Sequence, residues 1–408
     1  MLNFKKIRDQ FRWFKNNPNL IYFDSGATSL KPNSVLDAMQ SYYEKYSTNS
    51  HNTDSSFANL LNQEIMLARK TIANFLNANP DEIIFTSGAT ESLNLFAFGL
   101  KHLLKPTDEI VVPDLEHASN ILPWIAIAKD TNAKLIHIVE KDFLYWTDNL
   151  LNKINENTKI VSFSSISNVF GSIVDPLELI KKIKKINPNV LIIVDATQEV
   201  QHHQIDLNNS LIDCLAFSVH KMFGPTGVGI AYIKKTLQSN LNPLKYGGGM
   251  YLDYDPENLD IKFLNTVEKY EGGTQNIAGI LGTKAAIDFI NNLGLSNISE
   301  YELKLTKYLI SKLKEIPNLE IINENSNTSV ISFNIKNVNP QDIAYYLGTK
   351  NIIVRSGVSC VNMIKHRNKN SSGYVRITLS IYNSVEEIDV LIKTLKEFNI
   401  GESLVGLV

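Results

Sequence analysis

From about residue 82, short and nearly continuous apolar runs alternate with longer amphipathic stretches. EIIFTS (82–87), EIVVP (109–113), AKLIHIV (133–139), KIVSFSSIS (159–167) and VLIIVDA (190–196) have strand length and are rich in β-branched residues. Between them, TESLNLFAFGLKHLL (90–104), NILPWIAIAKD (120–130) and DPLELIKKIKKINPN (175–189) carry helical spacing. Asp175 followed by Pro176 supplies an N-cap and a proline at the first helical position. This alternation predicts βαβ units and a mostly parallel sheet buried between two helix layers, hence strands without polar alternation. After about residue 285 the pattern changes. A long helix over 296–316 leads into LEIINE, TSVISFNI, a helix DIAYYLG, IIVRS, VRITLSI and a last helix EEIDVLIKTLKEF. These predict a smaller α+β unit with an antiparallel sheet. The expected organisation is an N-terminal segment, 1–25, packing with the small domain; a large domain, 26–285; and a small C-terminal domain, 286–408. Leu2, Phe4, Ile7, Phe11 and Phe14 can form one face of a short helix docking on the rest of the chain. The polar segment 362–373 predicts an irregular, mobile loop.

Composition narrows the function classes. The chain has 408 residues, 44% hydrophobic and 20% charged, enough for a large core and two or three structural units. Forty basic against forty-two acidic residues give a formal charge of -2, so nothing global draws it to nucleic acid or an anionic membrane. The N-terminus lacks the apolar core of a signal peptide, Asp9 argues against a transit peptide, and no apolar run approaches the ~20 residues of a membrane span. Two cysteines, Cys214 and Cys360, form neither a disulfide framework nor a zinc site, which fits a reducing, cytoplasmic setting. There is no GxxxxGK[ST], HExxH or CxxC motif, and GPTGVGI lies in the wrong context for a dinucleotide fingerprint. His202 and His203 are adjacent, do not share a face, and are expected to be surface histidines. No metal site is expected.

The residues that carry chemistry cluster around SVHKMFGPTGVG (218–229) and VLIIVDATQ (190–198). Lys221 follows a strand-like run and precedes a glycine-rich turn. Burial there would lower its pKa and make the amine nucleophilic. Asp195 ends an apolar strand, the edge where α/β folds bind ligands. A Schiff-base lysine with an acid on a pyridinium nitrogen is the protein's share of pyridoxal phosphate chemistry; a buried Lys–Asp ion pair is the structural alternative. Gly88, Ala89 and Thr90 join a strand to a helix N-terminus that can bind phosphate, or simply cap the helix. Ser218 and His220 could complete that cup. Cys214 sits in an apolar run and is expected to be inert packing. Cys360 follows a strand and opens a stretch bearing Lys365, His366, Arg367, Lys369 and Arg376 with no acid, a setting that favours a thiolate. A solvated basic loop with an incidental cysteine accounts for the same pattern.

Taken together, YFDSGATSLKP, FTSGATESLN, LEHASNILPW, SNVFG, VDATQ, SVHKMFGPTGVG, YEGGTQN, VRSGVSC and VRITLSIYN resemble the class V, fold-type I enzymes that use pyridoxal 5'-phosphate. Within them the chain is most similar to cysteine desulfurases of the SufS type. The resemblance runs from 22–32 to 380–389. It implies Lys221 as the Schiff-base lysine, His117 stacking over the cofactor ring and relaying protons, Asp195 on the pyridine nitrogen and Gln198 on the ring hydroxyl. Thr90, Ser218 and His220 would bind phosphate, with Thr274 reaching in from a second subunit. Asn168 and Arg376 would orient the substrate carboxylate, and Arg355 lies close by in the motif without a firm role. Cys360 falls where the family places its persulfide-forming cysteine. The implied activity converts L-cysteine to L-alanine in a homodimer and passes sulfur to an acceptor, a scaffold or sulfurtransferase, for iron–sulfur cluster assembly. Alternatives are a selenocysteine lyase or another class V enzyme, and a weakly catalytic subunit of a sulfur-transfer complex.

Two segments depart from the SufS-type pattern. Relatives commonly carry two histidines directly before the cysteine, where this chain has Val358 and Ser359. Where they show HRGxH, this chain reads His51, Asn52, Thr53, Asp54 and Ser55. One arginine and one histidine are thus missing near the expected entrance. The cofactor motifs are unaffected; efficiency of sulfur transfer is what the changes bear on.

Overall fold

The computed structural model describes residues 4–50, 54–139, 146–367 and 372–398. Seven strands build the larger sheet: β1 (Ile83–Thr86), β2 (Glu109–Pro113), β3 (Lys134–Ile138), β4 (Thr158–Ser164), β5 (Leu191–Asp195), β6 (Cys214–Ser218) and β7 (Gly229–Ile233). Their order is β1-β7-β6-β5-β4-β2-β3. Strands β2 to β6 pair in parallel, and β7 runs antiparallel to both its neighbours. The apolar runs predicted from sequence are these strands, and their continuity has the expected cause. Val111, Val161, Ile192, Val194, Leu215 and Phe217 belong to one core, whereas Ile110, Val112, Ile160, Ile193, Cys214 and Ala216 belong to another. Successive side chains point to opposite faces, so a sheet covered on both sides needs an apolar residue at every position. Cys214 is fully buried, and burial pushes its thiol pKa up.

A second, antiparallel sheet contains β8 (Leu319–Ile321), β9 (Val330–Ile335), β10 (Arg355–Gly357) and β11 (Tyr374–Thr378), in the order β8-β9-β11-β10. Helices Leu295–Leu313 and Val385–Lys396 cover it, with Leu309, Leu313, Ile388 and Leu391 in its core. IIVRS, read as one strand, is split: Ile352–Ile353 pairs in parallel with Ile21–Tyr22, and only Arg355–Gly357 joins this sheet. The N-terminal amphipathic face forms two short helices, Phe4–Arg8 and Arg12–Asn16, with Ile7, Phe11 and Phe14 buried; Leu2 lies outside the described residues. Arg8 pairs with Glu387 at 2.5 Å, while the Phe11 ring meets both Phe289 and Tyr382 edge-on.

Two further expectations are corrected. His202 is buried and meets Glu302 at 2.6 Å, so it is not a surface histidine. Its partner comes from a helix about a hundred residues away, which local pattern cannot reveal. The segment 362–373 is not wholly irregular, since Met363–Arg367 forms a helical turn anchored by Ile364 in an apolar cluster with Leu115 and Phe170.

One buried ion pair ties the sheet edge together. Arg69 meets Glu271 through two bonds of 2.8 Å, and the Glu271 carboxylate also accepts from the Phe85 amide. Arg69→Met strands Glu271 without its cation, so we expect a loss of about 3–5 kcal/mol in chemical denaturation. The double variant Arg69→Met/Glu271→Leu should recover most of it.

Candidate active site

Four of the five parallel strands, β2, β4, β5 and β6, bring their carboxyl ends to one cavity of about 240 Å³. This is the ligand-binding edge of an open α/β sheet. Asp195 closes β5, and the turn after β6 carries His220 and Lys221. The loop after β2 carries His117, and the loop after β4 carries Asn168. Strand β1 leads to Gly88, the N-cap of the helix Ala89–Leu100. The second sheet adds Arg355, Ser359, Cys360 and Arg376, so the two sheets share the cavity walls. Gly229 must be glycine here: a Cβ would lie 2.4 Å from the Gly88 Cα, the close approach that brings the helix start beside β7.

Burial pulls the Lys221 amine down to about 8; Arg376 pushes the same way, while Asp195, Cys360 and Asp24 hold it up. Asp195 receives the Thr197 amide at 3.0 Å and its hydroxyl at 2.5 Å, both on Oδ1. Oδ2 is left for the cavity. His117 Nδ1 accepts from the Ser119 amide at 3.1 Å, which places the ring proton of the neutral imidazole on Nε2. Burial and the Lys221 charge lower its pKa. Those two causes and Lys31 bring His220 down to about 4. At the helix start, the Ser218 hydroxyl accepts from the Ala89 amide at 2.8 Å, and Thr90 Oγ1 lies 2.7 Å from Ser119 Oγ.

Three buried polar atoms around the cavity lack a hydrogen-bond partner among the described residues: Gln198 Oε1, His220 Nδ1 and Arg376 Nε. An unsatisfied buried group costs about 1–3 kcal/mol, and three on one cavity mark a site built for a polar ligand. Pyridoxal phosphate fits this donor set. A free carboxylate oxygen is available for its ring nitrogen, a helix start with hydroxyls and an imidazole could take its phosphate, and an amine is at hand for its aldehyde.

On the side of the second sheet, Arg376 donates from Nη2 to Asp24 Oδ1 and from Nη1 to the Asn168 carbonyl, each at 2.9 Å. Arg355 is the cross-strand partner of Arg376 on antiparallel strands. Directly opposed residues share a face, which explains why it too reaches the cavity. Asn168 Nδ2 donates to the Ser359 carbonyl at 2.8 Å, and the Ala118 amide to the Cys360 carbonyl at 2.9 Å. These bonds latch a loop in which Ser359 and Cys360 both have left-handed backbone, φ 47° and 64°. The Cys360 residue is exposed. Val358 packs against the apolar cluster of Val169 and Phe170.

All the expected site residues therefore meet at this cavity except two. Gly88 lies just behind it as the helix cap, and Thr274 is exposed and does not line it in a single chain. Lys365 is exposed and does not line it either; the Arg367 side chain, Lys369 and residues 51–53 lie outside the described residues. The cations beside Cys360 in the cavity wall are Lys221, Arg355 and Arg376. Sequence reasoning missed Gly26, Ala27, Ser119, Ser164, Ile166, Thr197 and Ser359, and it missed Asp24 behind them. Several stood inside quoted motifs, but small polar residues carry no pattern of their own.

The profile described as Aminotransferase class-V matches residues 21–391. The chain belongs to the class-V aminotransferase family. Its fold is accordingly the fold-type I α/β architecture of enzymes dependent on pyridoxal phosphate. Among family members, a probable cysteine desulfurase of Ureaplasma parvum is 46% identical over 97% of this chain and 98% of that protein. One from Mycoplasma pneumoniae is 40% identical over 96% and 95%. The solved cysteine desulfurase of Thermococcus onnurineus superimposes with a TM-score of 0.91 at 33% identity, covering 97% of this chain and 98% of that one. No helix among the described residues is long and apolar enough to cross a membrane.

Proposed function

We propose that the protein is a pyridoxal-phosphate-dependent cysteine desulfurase that converts L-cysteine to L-alanine and carries the released sulfur as a persulfide on Cys360. The observation that carries this reading is the convergence of a buried amine, Lys221, a carboxylate, Asp195, and an exposed thiol, Cys360, on one cavity. Relatives named for this activity over nearly the full length support it.

When bound, the cofactor supplies a carbonyl that amines can join and a ring that accepts electrons from the substrate carbon. Lys221 would anchor it and, once free, take the α-proton at Nζ. Asp195 Oδ2 would keep the ring nitrogen protonated, with Thr197 holding the carboxylate in place. Gln198 would serve the ring hydroxyl. Ala89, Thr90, Ser218 and His220 would receive the phosphate near the Gly88 turn. His117, its proton on Nε2, would lie against the ring and relay protons. Arg376 and Asn168 take the substrate carboxylate, with Arg355 adding positive charge. Cys360 Sγ, as thiolate, then attacks the substrate sulfur. An S–S bond forms and the C–S bond breaks; its electron pair stays with the three-carbon fragment, which takes up a proton at Cβ, regains the α-proton from Lys221 and leaves as alanine.

In this proposal residues 26–285 form the cofactor-binding domain and 286–408 the small domain that brings Cys360, with 1–25 packed along the latter. A homodimer completes the site, because Thr274 is exposed and unused in one chain. The working setting is cytoplasmic, and the sulfur passes to an acceptor protein of iron–sulfur cluster assembly. Mass spectrometry after incubation with L-cysteine tests the central claim: added sulfur on Cys360 is expected, and its absence alongside active alanine release would overturn it. Sedimentation should show a dimer at assay concentrations, and a fully active monomer would remove the role given to Thr274.

The lowered Lys221 pKa gives a pH prediction. Only the free amine captures pyridoxal phosphate. Capture by cofactor-free protein should rise about tenfold per pH unit below pH 8 and level off above it. Borohydride trapping across pH measures this; a rise continuing to the ordinary lysine range would mean that Lys221 is not desolvated.

A further inference from the structure

Asp24 belongs to none of the roles above, yet it is the only acid paired with Arg376 among the described residues. Both side chains are nearly buried and lie 2.9 Å apart. Asp24 does not line the cavity; it stands behind Arg376, which does. Its own position is firmly set. Its carbonyl receives the Ala27 amide and the Tyr22 hydroxyl, and its backbone bridges to Thr378 at the end of β11, two residues beyond Arg376. The guanidinium is thus gripped at Nη2 by Asp24 and at Nη1 by the Asn168 carbonyl, while Nε–H is unspent.

A buried arginine without a counter-charge is strongly destabilising. A carboxylate that pairs well with arginine uses two parallel N–H bonds. Asp24 uses one. It therefore offsets the cation from one edge of the fork and leaves the Nε–H unspent. We propose that Asp24 is a positioning residue that stands in for the substrate carboxylate until substrate arrives: it orients Arg376 and shares its charge, so that substrate meets a prepared but partly neutralised partner. This rests on the desulfurase reading and deepens it. The consequence is an internal competitor that keeps carboxylate affinity below what an unshared arginine would give, which favours release of alanine.

Orientation and charge sharing can be separated. Asp24→Asn keeps an oxygen acceptor for Nη2 and removes the charge; Asp24→Ala removes both. With L-alanine as probe and calorimetry on the holoenzyme, Asp24→Asn should tighten binding several-fold, because Arg376 is no longer shared. Asp24→Ala should weaken it several-fold, because the fork is no longer held. A second readout lies at Lys221, which shares the cavity with Arg376, Asp195, Cys360, His117 and His220 and feels the charge of Asp24 from behind Arg376. Arg376 itself faces Asp24, Arg355 and Tyr22. Losing the Asp24 charge should move the pH midpoint for Lys221 capture of pyridoxal phosphate downward in both variants. A packing role alone would lower stability and leave that midpoint in place. The proposal is overturned if Asp24→Asn fails to tighten alanine binding or if the midpoint does not move; should Asp24→Ala not fold, Asp24→Asn decides alone. Wild-type enzyme that neither binds alanine nor takes sulfur from cysteine would overturn the desulfurase reading and this inference with it. Wild-type enzyme that does both, with unmoved variants, would overturn this inference only.

Discussion

Lys221→Ala is expected to abolish alanine formation, by about 10³-fold or more, and to end covalent attachment of the cofactor while leaving the protein folded. In the proposed mechanism the lysine is both anchor and base, and positioned proton transfer alone is worth roughly 10²–10⁴-fold. Thr197, Gln198 and the Ser218–Ala89 contact do not depend on it, so reversible cofactor binding should persist. Stability should not fall. Burial holds the Lys221 pKa at about 8, below its unfolded value, so at neutral pH the unfolded chain binds its proton more readily. A lowered lysine pKa is therefore a cost to the native state below about pH 8, relieved as pH climbs towards the ordinary lysine range. The alanine variant should match or exceed wild-type stability at pH 7, with the advantage shrinking above pH 8 in thermal melts. Borohydride-reducible cofactor on another lysine would show that the assignment is wrong.

Cys360→Ala should keep the cofactor and bind cysteine, yet form no persulfide and little alanine. Lys221, Asp195 and Arg376 are untouched, and Cys360 is exposed, so the change removes no packing. Backbone strain is also unchanged. Left-handed backbone costs about 1–2 kcal/mol for any residue with a Cβ, and alanine has one as cysteine does. Cys214 cannot take over, because it is wholly buried and its thiol pKa is pushed up. Sulfur detected by mass spectrometry on Cys214, or alanine release at the wild-type rate, would point instead to a class V enzyme that needs no sulfur-carrying thiol.

The larger sheet was legible because its strands are buried on both faces and announce themselves as unbroken apolar runs. The antiparallel insertion of β7 was not, since direction leaves no mark on a strand's composition. Lys221, Asp195 and the Gly88–Thr90 turn were legible because strand ends and helix starts have local grammar. Arg355 needed the pairing of β10 with β11 before its position made sense. Asp24 and His202 each depend on one partner distant in sequence, Arg376 and Glu302, and only folding supplies it. Thr274 does not line the cavity in one chain, and the role proposed for it depends on a second.

Lys221 and Cys360 follow strands of different sheets, each sheet with its own core. The chemistry thus depends on a seam as well as on a pocket. Tyr382 sits in that seam: its hydroxyl lies 2.7 Å from Ser25 Oγ and receives the Leu30 amide, and its ring meets Phe11 and Phe223. Shaving such a residue would alter neither reactive group yet would change the gap that sulfur must cross. Turnover in this enzyme can therefore be retuned by substitutions that never touch the substrate, much as a lock can be spoiled by shifting its frame.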